Sequence, residues 1–247
     1  MTRERHFGGM AAATLAIAAA MVGGCEEAPD RDRAAIEREI LETPRSGALW
    51  AAIKREYPGD FARLVEQVQA LNLSERGDSA RGEQIGKEWL QDFFTRIAPE
   101  AVQAPAEAML RWSMAEAKLY ETLERHAPDA CAAMTMGEWI FIEDDDAAAY
   151  DAIAARNIAM VEAASAGRAD PQVYDEPDRA AFDRLGDAIA GTGLAPELQQ
   201  ALAAPDALGE LAPEDQCAIG VALHQAIADL PDDAEPAMAA YMLAPAN

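Results

Sequence analysis

The sequence is poor in basic side chains, in aromatic side chains and in cysteine. Lysine and arginine number 20 against 44 aspartates and glutamates, which gives a formal net charge of -24 at pH 7. Nucleic-acid-binding proteins need a basic surface, so this deficit argues against that class. It argues equally against a polybasic protein held on anionic lipid. The N-terminal apolar run, residues 10–22, is shorter than the about 20 residues that a membrane-spanning helix requires.

What the sequence does contain is a high hydrophobic fraction, 51%, with only 6% aromatic residues. A fraction this high argues against disorder throughout the chain. The length of 247 residues suits one domain of ordinary size or two small ones, and it is sufficient to bury a core.

The first 25 residues have the pattern of a secretory signal peptide. Arg3 and Arg5 precede the apolar run, and small residues lead from that run to a cysteine. The segment Val22-Gly23-Gly24-Cys25 resembles the lipobox of bacterial lipoproteins, with Val22 where that family prefers leucine. The resemblance implies that the thiol of Cys25 receives diacylglycerol, that residues 1–24 are removed as the signal peptide, and that the new amino terminus is acylated.

Lipid attachment of this kind would anchor the chain firmly, because two or more acyl chains hold a protein on a membrane where one does not. The resemblance implies a lipidated tether over residues 25–34, facing the periplasm. Glu26 stands where the family's retention rule favours aspartate, so we expect the outer membrane rather than the inner. The alternative is cleavage after Ala18-Ala19-Ala20, which would leave a soluble protein with three cysteines.

Lipidation of Cys25 would leave Cys131 and Cys217 as an even pair. Such a pair in an oxidising compartment predicts a disulfide. The first alternative is that both cysteines are buried free thiols. The second is that one is a catalytic thiol, but the sequence identifies no neighbouring base for it. Each cysteine follows a proline and acidic residues, a pattern typical of the first turn of a helix.

Apolar residues recur at helical spacing over most of residues 35–247. Proline and glycine separate the periodic segments. We therefore predict an all-α fold, a single compact bundle of roughly eight to ten short helices. The expected helical segments are 60–73, 80–97, Pro99 to about 126, a short one from Pro128, one that follows residues 144–146 and runs to about 166, 178–190, 196–204, 213–230 and 234–243, with an earlier helix around Leu49, Trp50 and Ile53.

Two stretches depart from the helical pattern. Residues 167–177 contain two X-Pro pairs, so we expect a loop there, and this is the candidate boundary if the region forms two units. Residues 139–142, Trp-Ile-Phe-Ile, have the composition of one short extended segment. Trp139 is therefore the aromatic that we single out as a candidate ligand contact. The other three tryptophans lie on apolar helical faces and are expected in the core: Trp50, Trp89 and Trp112.

Candidate catalytic groups are few. The sequence has neither a Gly-x-Ser-x-Gly elbow nor a glycine-rich phosphate loop. His126 and His224, with carboxylates such as Glu121 or Asp229, form a candidate zinc site. The alternatives are that His126 neutralises a helix C-terminus and that His224 is a hydrogen-bonded, partly buried side chain. The acidic run at residues 143–146 fits a helix start rather than a calcium loop.

Together these features predict a lipid-anchored protein of the bacterial envelope with a non-enzymatic interaction or structural domain. We expect attachment to the membrane through Cys25, a protein partner in the envelope, no bound nucleic acid and no cofactor beyond the covalent lipid. The first alternative is a helical domain that binds a small ligand between its helices. The second is an envelope hydrolase or metal-dependent enzyme that uses His126, His224 and acidic side chains.

Overall fold

The computed structural model describes residues 33–70, 79–138, 140, 146–202, 204–231 and 234–244. Within these residues there are eleven helices of seven residues or more, one four-residue helix and no strand, so the predicted all-α fold is confirmed. None of the described helices is long and apolar enough to cross a membrane. The helices are α1 (Arg33–Leu41), α2 (Gly47–Glu56), α3 (Pro58–Ala70), α4 (Ser79–Ala101), α5 (Ala106–His126), α6 (Pro128–Thr135), α7 (Ala147–Ala169), α8 (Arg179–Gly191), α9 (Pro196–Leu202), α10 (Pro205–Leu208), α11 (Pro213–Ala228) and α12 (Glu235–Leu243).

Helix α5 is the structural centre of the bundle, because it packs along both α7 and α11. Helix α7 in turn contacts α4 and α2, while α11 contacts α6 and α8. The buried apolar side chains of these helices form one continuous hydrophobic cluster that extends from α1 to α12. Each helix therefore gains its stability by burying one apolar face against its neighbours.

Two of the three tryptophans expected in the core are found there, and the third packs against it. Trp50 and Trp112 are fully buried. Trp89 is half-buried and stacks on Phe93, with ring centroids 5.0 Å apart. Trp139, residues 141–142 and Cys25 lie outside the described residues, so the predictions made for them remain predictions.

The acidic residue Asp146 caps the start of α7, as the sequence suggests for the end of the run at residues 143–146. Its Oδ1 accepts a hydrogen bond from the backbone N–H of Ala149 at 3.1 Å. Asp178 caps α8 in the same way, accepting from the N–H of Ala181 at 2.8 Å. Both carboxylates satisfy amide groups that the first helical turn leaves without partners. Residues 143–145 lie outside the described part of the chain.

The prediction that Pro99 opens a new helix is wrong. Pro99 lies inside the last turn of α4, which continues to Ala101, and α5 begins only after Pro105. A proline this close to a helix end removes a single backbone hydrogen bond. The buried side chains of Ile97 and Ala98 hold this turn against the core, which outweighs that loss.

The prediction that a loop starts at Gly167 is also wrong, since α7 continues to Ala169. Gly167 is buried, and a Cβ atom at this position would lie only 2.0 Å from the backbone oxygen of Glu100. The residue is therefore a point of close approach between α7 and the end of α4, where only glycine fits.

Cys131 lies near the start of α6 and Cys217 near the start of α11. Their sulfur atoms are 2.00 Å apart, which is the distance of a disulfide bond, and 86 positions separate them in the sequence. The two helices also pack directly against each other. The cross-link therefore reinforces a contact that apolar packing already makes.

Candidate functional site

The two histidines singled out from the sequence have different partners. His126 lies at the end of α5, where its Nδ1 is 3.7 Å from Oδ1 of Asp146. The ring of His224, in α11, stacks on Tyr120 with centroids 4.2 Å apart. Among the described residues, no group of three or more histidine, cysteine, aspartate or glutamate side chains is placed to hold a metal ion.

The carboxylates proposed to join these histidines are occupied elsewhere or lie at the surface. Glu121 accepts a hydrogen bond from Lys118 at 3.0 Å and another from Gln225 at 3.3 Å. The bond from Lys118 is the largest cause of the lowered pKa of Glu121. Asp229 is the exposed residue that follows α11. The structure therefore does not gather the candidate zinc ligands around one point.

A buried ion pair that the sequence does not reveal lies between α5 and α7. The Nε of Arg156 donates to Oε2 of Glu116 at 2.5 Å, and both side chains are only 2% exposed. The Nη1 of Arg156 also donates to Oδ1 of Asn157 at 3.1 Å. Its guanidinium carbon lies 5.9 Å from the ring centroid of Trp112. Since an unpaired charge at this depth would be strongly unfavourable, these groups hold one another in place.

The local sequence explains how charged residues come to lie in the core. Trp112, Glu116 and Tyr120 are spaced four residues apart, so they share the face of α5 that turns inward. Arg156 is flanked on α7 by the buried Ile153 and Met160. A single charge within an apolar helical stripe is thus the one sequence signal that could have pointed to this pair.

A small cavity of about 30 Å³ lies beside the ion pair, lined by Glu116, Tyr120, Thr135, His224 and neighbouring apolar side chains. Burial of the His224 ring lowers its pKa to about 4, with Glu116 opposing this shift and Arg156 adding to it. Although the residue as a whole is half-buried, the ring is therefore neutral at pH 7. Burial also raises the pKa of Tyr120. A space of this size holds about one or two water molecules and is too small for a substrate.

A larger and more open site lies elsewhere, between residues 171–177 and α12. This groove has a volume of about 410 Å³. We define it by its lining residues, which are Val102, Gln103, Gln172, Val173, Tyr174, Asp175, Glu176, Pro177, Ala237, Ala240 and Tyr241.

The wall formed by residues 171–177 is fixed at two points to the segment that connects α4 and α5. The backbone N–H of Gln172 donates to the oxygen of Gln103 at 2.8 Å. The hydroxyl of Tyr174 donates to the oxygen of Ala104 at 2.7 Å. Burial of this ring raises the pKa of Tyr174, so the hydroxyl stays protonated and remains a donor. The non-helical segment therefore has a defined position against the bundle.

Exposed hydrophobic side chains surround the groove. Val173 is 94% exposed and Phe182, on α8, is 39% exposed. The ring of Phe182 meets the ring of Tyr241 edge to face at a centroid distance of 5.5 Å. On the side of α12, Ala237 and Ala240 contribute only small side chains, which leaves room between the two walls.

The sequence did not single out the residues of this groove, although it predicted a loop at residues 167–177. The signal that could have found them is Val173 and Tyr174, two apolar residues between two X-Pro pairs in an otherwise acidic loop. Comparison with known proteins finds no matching family model, no matching curated protein and no matching solved structure. The geometry of the groove therefore carries the functional argument.

Proposed function

We propose that this chain is a lipid-anchored protein of the bacterial envelope whose helical domain binds another protein through the groove. The anchor rests on the lipobox-like segment Val22-Gly23-Gly24-Cys25 and the signal-peptide pattern before it. The even pair Cys131 and Cys217 that lipidation of Cys25 would leave fits an oxidising compartment such as the periplasm. Attachment through Cys25 would orient the domain toward the periplasm.

The exposed hydrophobic residues around the groove are the observation that carries the binding function. Val173 and the half-buried Tyr241 line the groove, and the exposed Phe182 packs edge to face against Tyr241. The three residues come from three different elements. Exposed apolar side chains beside a depression are typical of protein-binding sites, and aromatic residues are enriched at the centres of interfaces. The polar cluster around Glu116 offers no comparable access, since its cavity is small and both charges are buried.

A small molecule is the second candidate occupant of the groove. Its volume of about 410 Å³ falls within the range of about 300–1,000 Å³ that is usual for small-ligand sites. The enzyme alternative gains no support from the contacts of His126 and His224, which face different partners.

Site-specific photo-crosslinking in intact cells tests the proposed binding function. A photoreactive amino acid placed at Val173 reports on the groove, and one placed at Met114, 63% exposed on α5, is the matched control. We expect a discrete crosslinked protein from position 173 that position 114 does not give. Filling the groove with Ala237→Trp should abolish that product. Equal products at both positions, or a product that survives Ala237→Trp, would contradict binding at the groove.

Mass spectrometry of the intact mature protein tests the anchor separately. The expected mass begins at Cys25, carries thioether-linked diacylglycerol and a further acyl chain, and lacks two hydrogens for the pair Cys131 and Cys217. An unlipidated chain that begins before Cys25 would support the alternative cleavage after Ala18-Ala19-Ala20.

A further inference from the structure

Resting on the proposed binding function, we infer that the groove accepts an extended, positively charged segment of the partner protein. Three properties of the groove lead to this partner chemistry. They are the backbone of residues 171–177, the small side chains of the opposite wall and the charge of the lining.

The first property is an extended wall with an open backbone edge. Exposure alternates along residues 171–175, with Gln172 and Tyr174 half-buried and Val173 and Asp175 exposed, as in an extended chain. Pro171 and Pro177 keep the flanking residues Asp170 and Glu176 out of helical geometry, because a residue before proline avoids it. In the described part of the chain, the amides of Val173, Tyr174 and Asp175 donate no backbone–backbone hydrogen bond. An incoming peptide can therefore pair with this edge as an added strand.

The second property is the width that the small side chains of α12 leave. Ala237, Ala240 and Tyr241 of α12 line the groove together with residues 172–177. A peptide paired with the edge would direct alternate side chains toward this wall. Side chains with an apolar stem fit against Tyr241, and a long basic side chain combines such a stem with a charged head that stays in water.

The third property is the charge of the lining. Asp175 and Glu176 line the groove, and no basic side chain lines it among the residues that the structure describes. Asp178 adds a carboxylate immediately after it, at the start of α8. The chain from Cys25 onward contains 43 acidic and 18 basic residues, so a second copy of the domain would meet repulsion here. A cationic segment, in contrast, would be attracted by these carboxylates both while it approaches the groove and once it is bound there.

The test uses the full-length lipidated protein in detergent micelles and two synthetic peptides. One is Val-Lys-Val-Lys-Val-Lys-Val and the other Val-Glu-Val-Glu-Val-Glu-Val, each with a fluorescent label. We expect the basic peptide to bind at least about tenfold more tightly than the acidic one. Asp175→Lys should weaken binding of the basic peptide about three- to tenfold. The matched control, Asp151→Lys at an exposed position of α7 outside the lining, should change it less than about twofold.

The outcomes separate this inference from the function on which it rests. Equal affinities for the two peptides would overturn the inference of a specific cationic partner. Equal effects of Asp175→Lys and Asp151→Lys on the affinity for the basic peptide would overturn it as well. If neither peptide binds while position 173 still gives its crosslinked protein, the charge inference fails and the binding function stands. If that crosslinked product is missing as well, both fail. Circular dichroism of each variant shows whether the fold is retained, and Asp175→Asn, with a smaller expected loss, replaces Asp175→Lys if it is not.

Discussion

Replacing Arg156 with methionine should destabilise the domain by about 3–5 kcal/mol, because it leaves the buried carboxylate of Glu116 without its partner. The guanidinium and the carboxylate are each only 2% exposed and meet at 2.5 Å. Methionine keeps most of the length of arginine and fills the same space beside Met160. The decrease in the free energy of unfolding therefore results mainly from breaking the charge pair and not from creating an empty cavity.

The magnitude follows from the contacts that are lost. A hydrogen bond to a charged group contributes about 1.5–3 kcal/mol. The remaining part comes from the carboxylate, which cannot regain water at this depth. Glu116→Met should cost a similar amount, since it leaves the guanidinium of Arg156 with only the neutral partners Asn157 and Met160.

The double variant Arg156→Met, Glu116→Met distinguishes two free energies. One is the stability lost when a single partner of the pair is removed, and the other is the net contribution of the intact pair to the stability of the domain. With methionine at both positions no charge remains buried, so the loss should be much smaller than the sum of the single losses. Replacing a buried pair by apolar residues of similar volume is often neutral or even stabilising by about 1–4 kcal/mol. We expect the double variant to lie within about 2 kcal/mol of the original chain.

Urea unfolding followed by far-ultraviolet circular dichroism measures these free energies, with the Cys131–Cys217 pair kept oxidised. The matched control is Arg111→Met on α5, the helix that carries Glu116. Arg111 meets Glu107 at 2.7 Å, but the two side chains are 54% and 90% exposed, so its loss should stay below about 1 kcal/mol. If Arg156→Met costs no more than Arg111→Met, or if the single losses simply add, the account of a mutually dependent buried pair is refuted.

Three further predictions address stability. Changing Cys131 and Cys217 together to serine opens a loop of 86 residues and should cost up to about 4–5 kcal/mol, and an unchanged urea midpoint would contradict the cross-link. Gly167→Ala forces a Cβ against the oxygen of Glu100 and should cost about 1–3 kcal/mol. Its control Gly186→Ala, with open space around the new atom, should stabilise α8 by up to about 1 kcal/mol; equal effects would refute the close approach. In the folded protein the pKa of His224 is about 4, below its ordinary value of 6.5. The neutral ring therefore makes its full contribution to the free energy of unfolding above pH 6.5, and this contribution is lost as the pH falls toward 4. His224→Gln should therefore reduce the fall in stability between pH 7 and pH 5 by about 1–2 kcal/mol, and an unchanged pH dependence would exclude a buried neutral ring.

The elements that local pattern determines were predictable from the sequence. The apolar spacing of Phe61, Leu64 and Val65 predicts α3, where all three are buried. The glycines after Ala190 predict the end of α8, which closes at Gly191. These features depend on residues a few positions apart, whose interactions the sequence displays directly.

The interior pair and the groove could not be predicted, because their partners are distant in the sequence. Glu116 and Arg156 are separated by 40 positions, and Tyr174 reaches the backbone of Ala104 across 70. The role of Gly167 could not be predicted either, because a glycine within a helical pattern is equally consistent with the end of a helix and with a close contact between two helices. Only the packing of α7 against α4 decides between the two.

The position of the groove within the cross-linked part of the chain has a mechanical consequence. Tyr174 lies midway in sequence between Cys131 and Cys217. A partner pulling on residues 171–177 against the proposed lipid anchor at Cys25 would load two parallel arms of the chain, one leading back to each cysteine. The tension would then be shared between the two arms. Reduction of the cross-link would send the whole load through one arm, so we expect the domain to resist traction only while the two sulfur atoms remain joined.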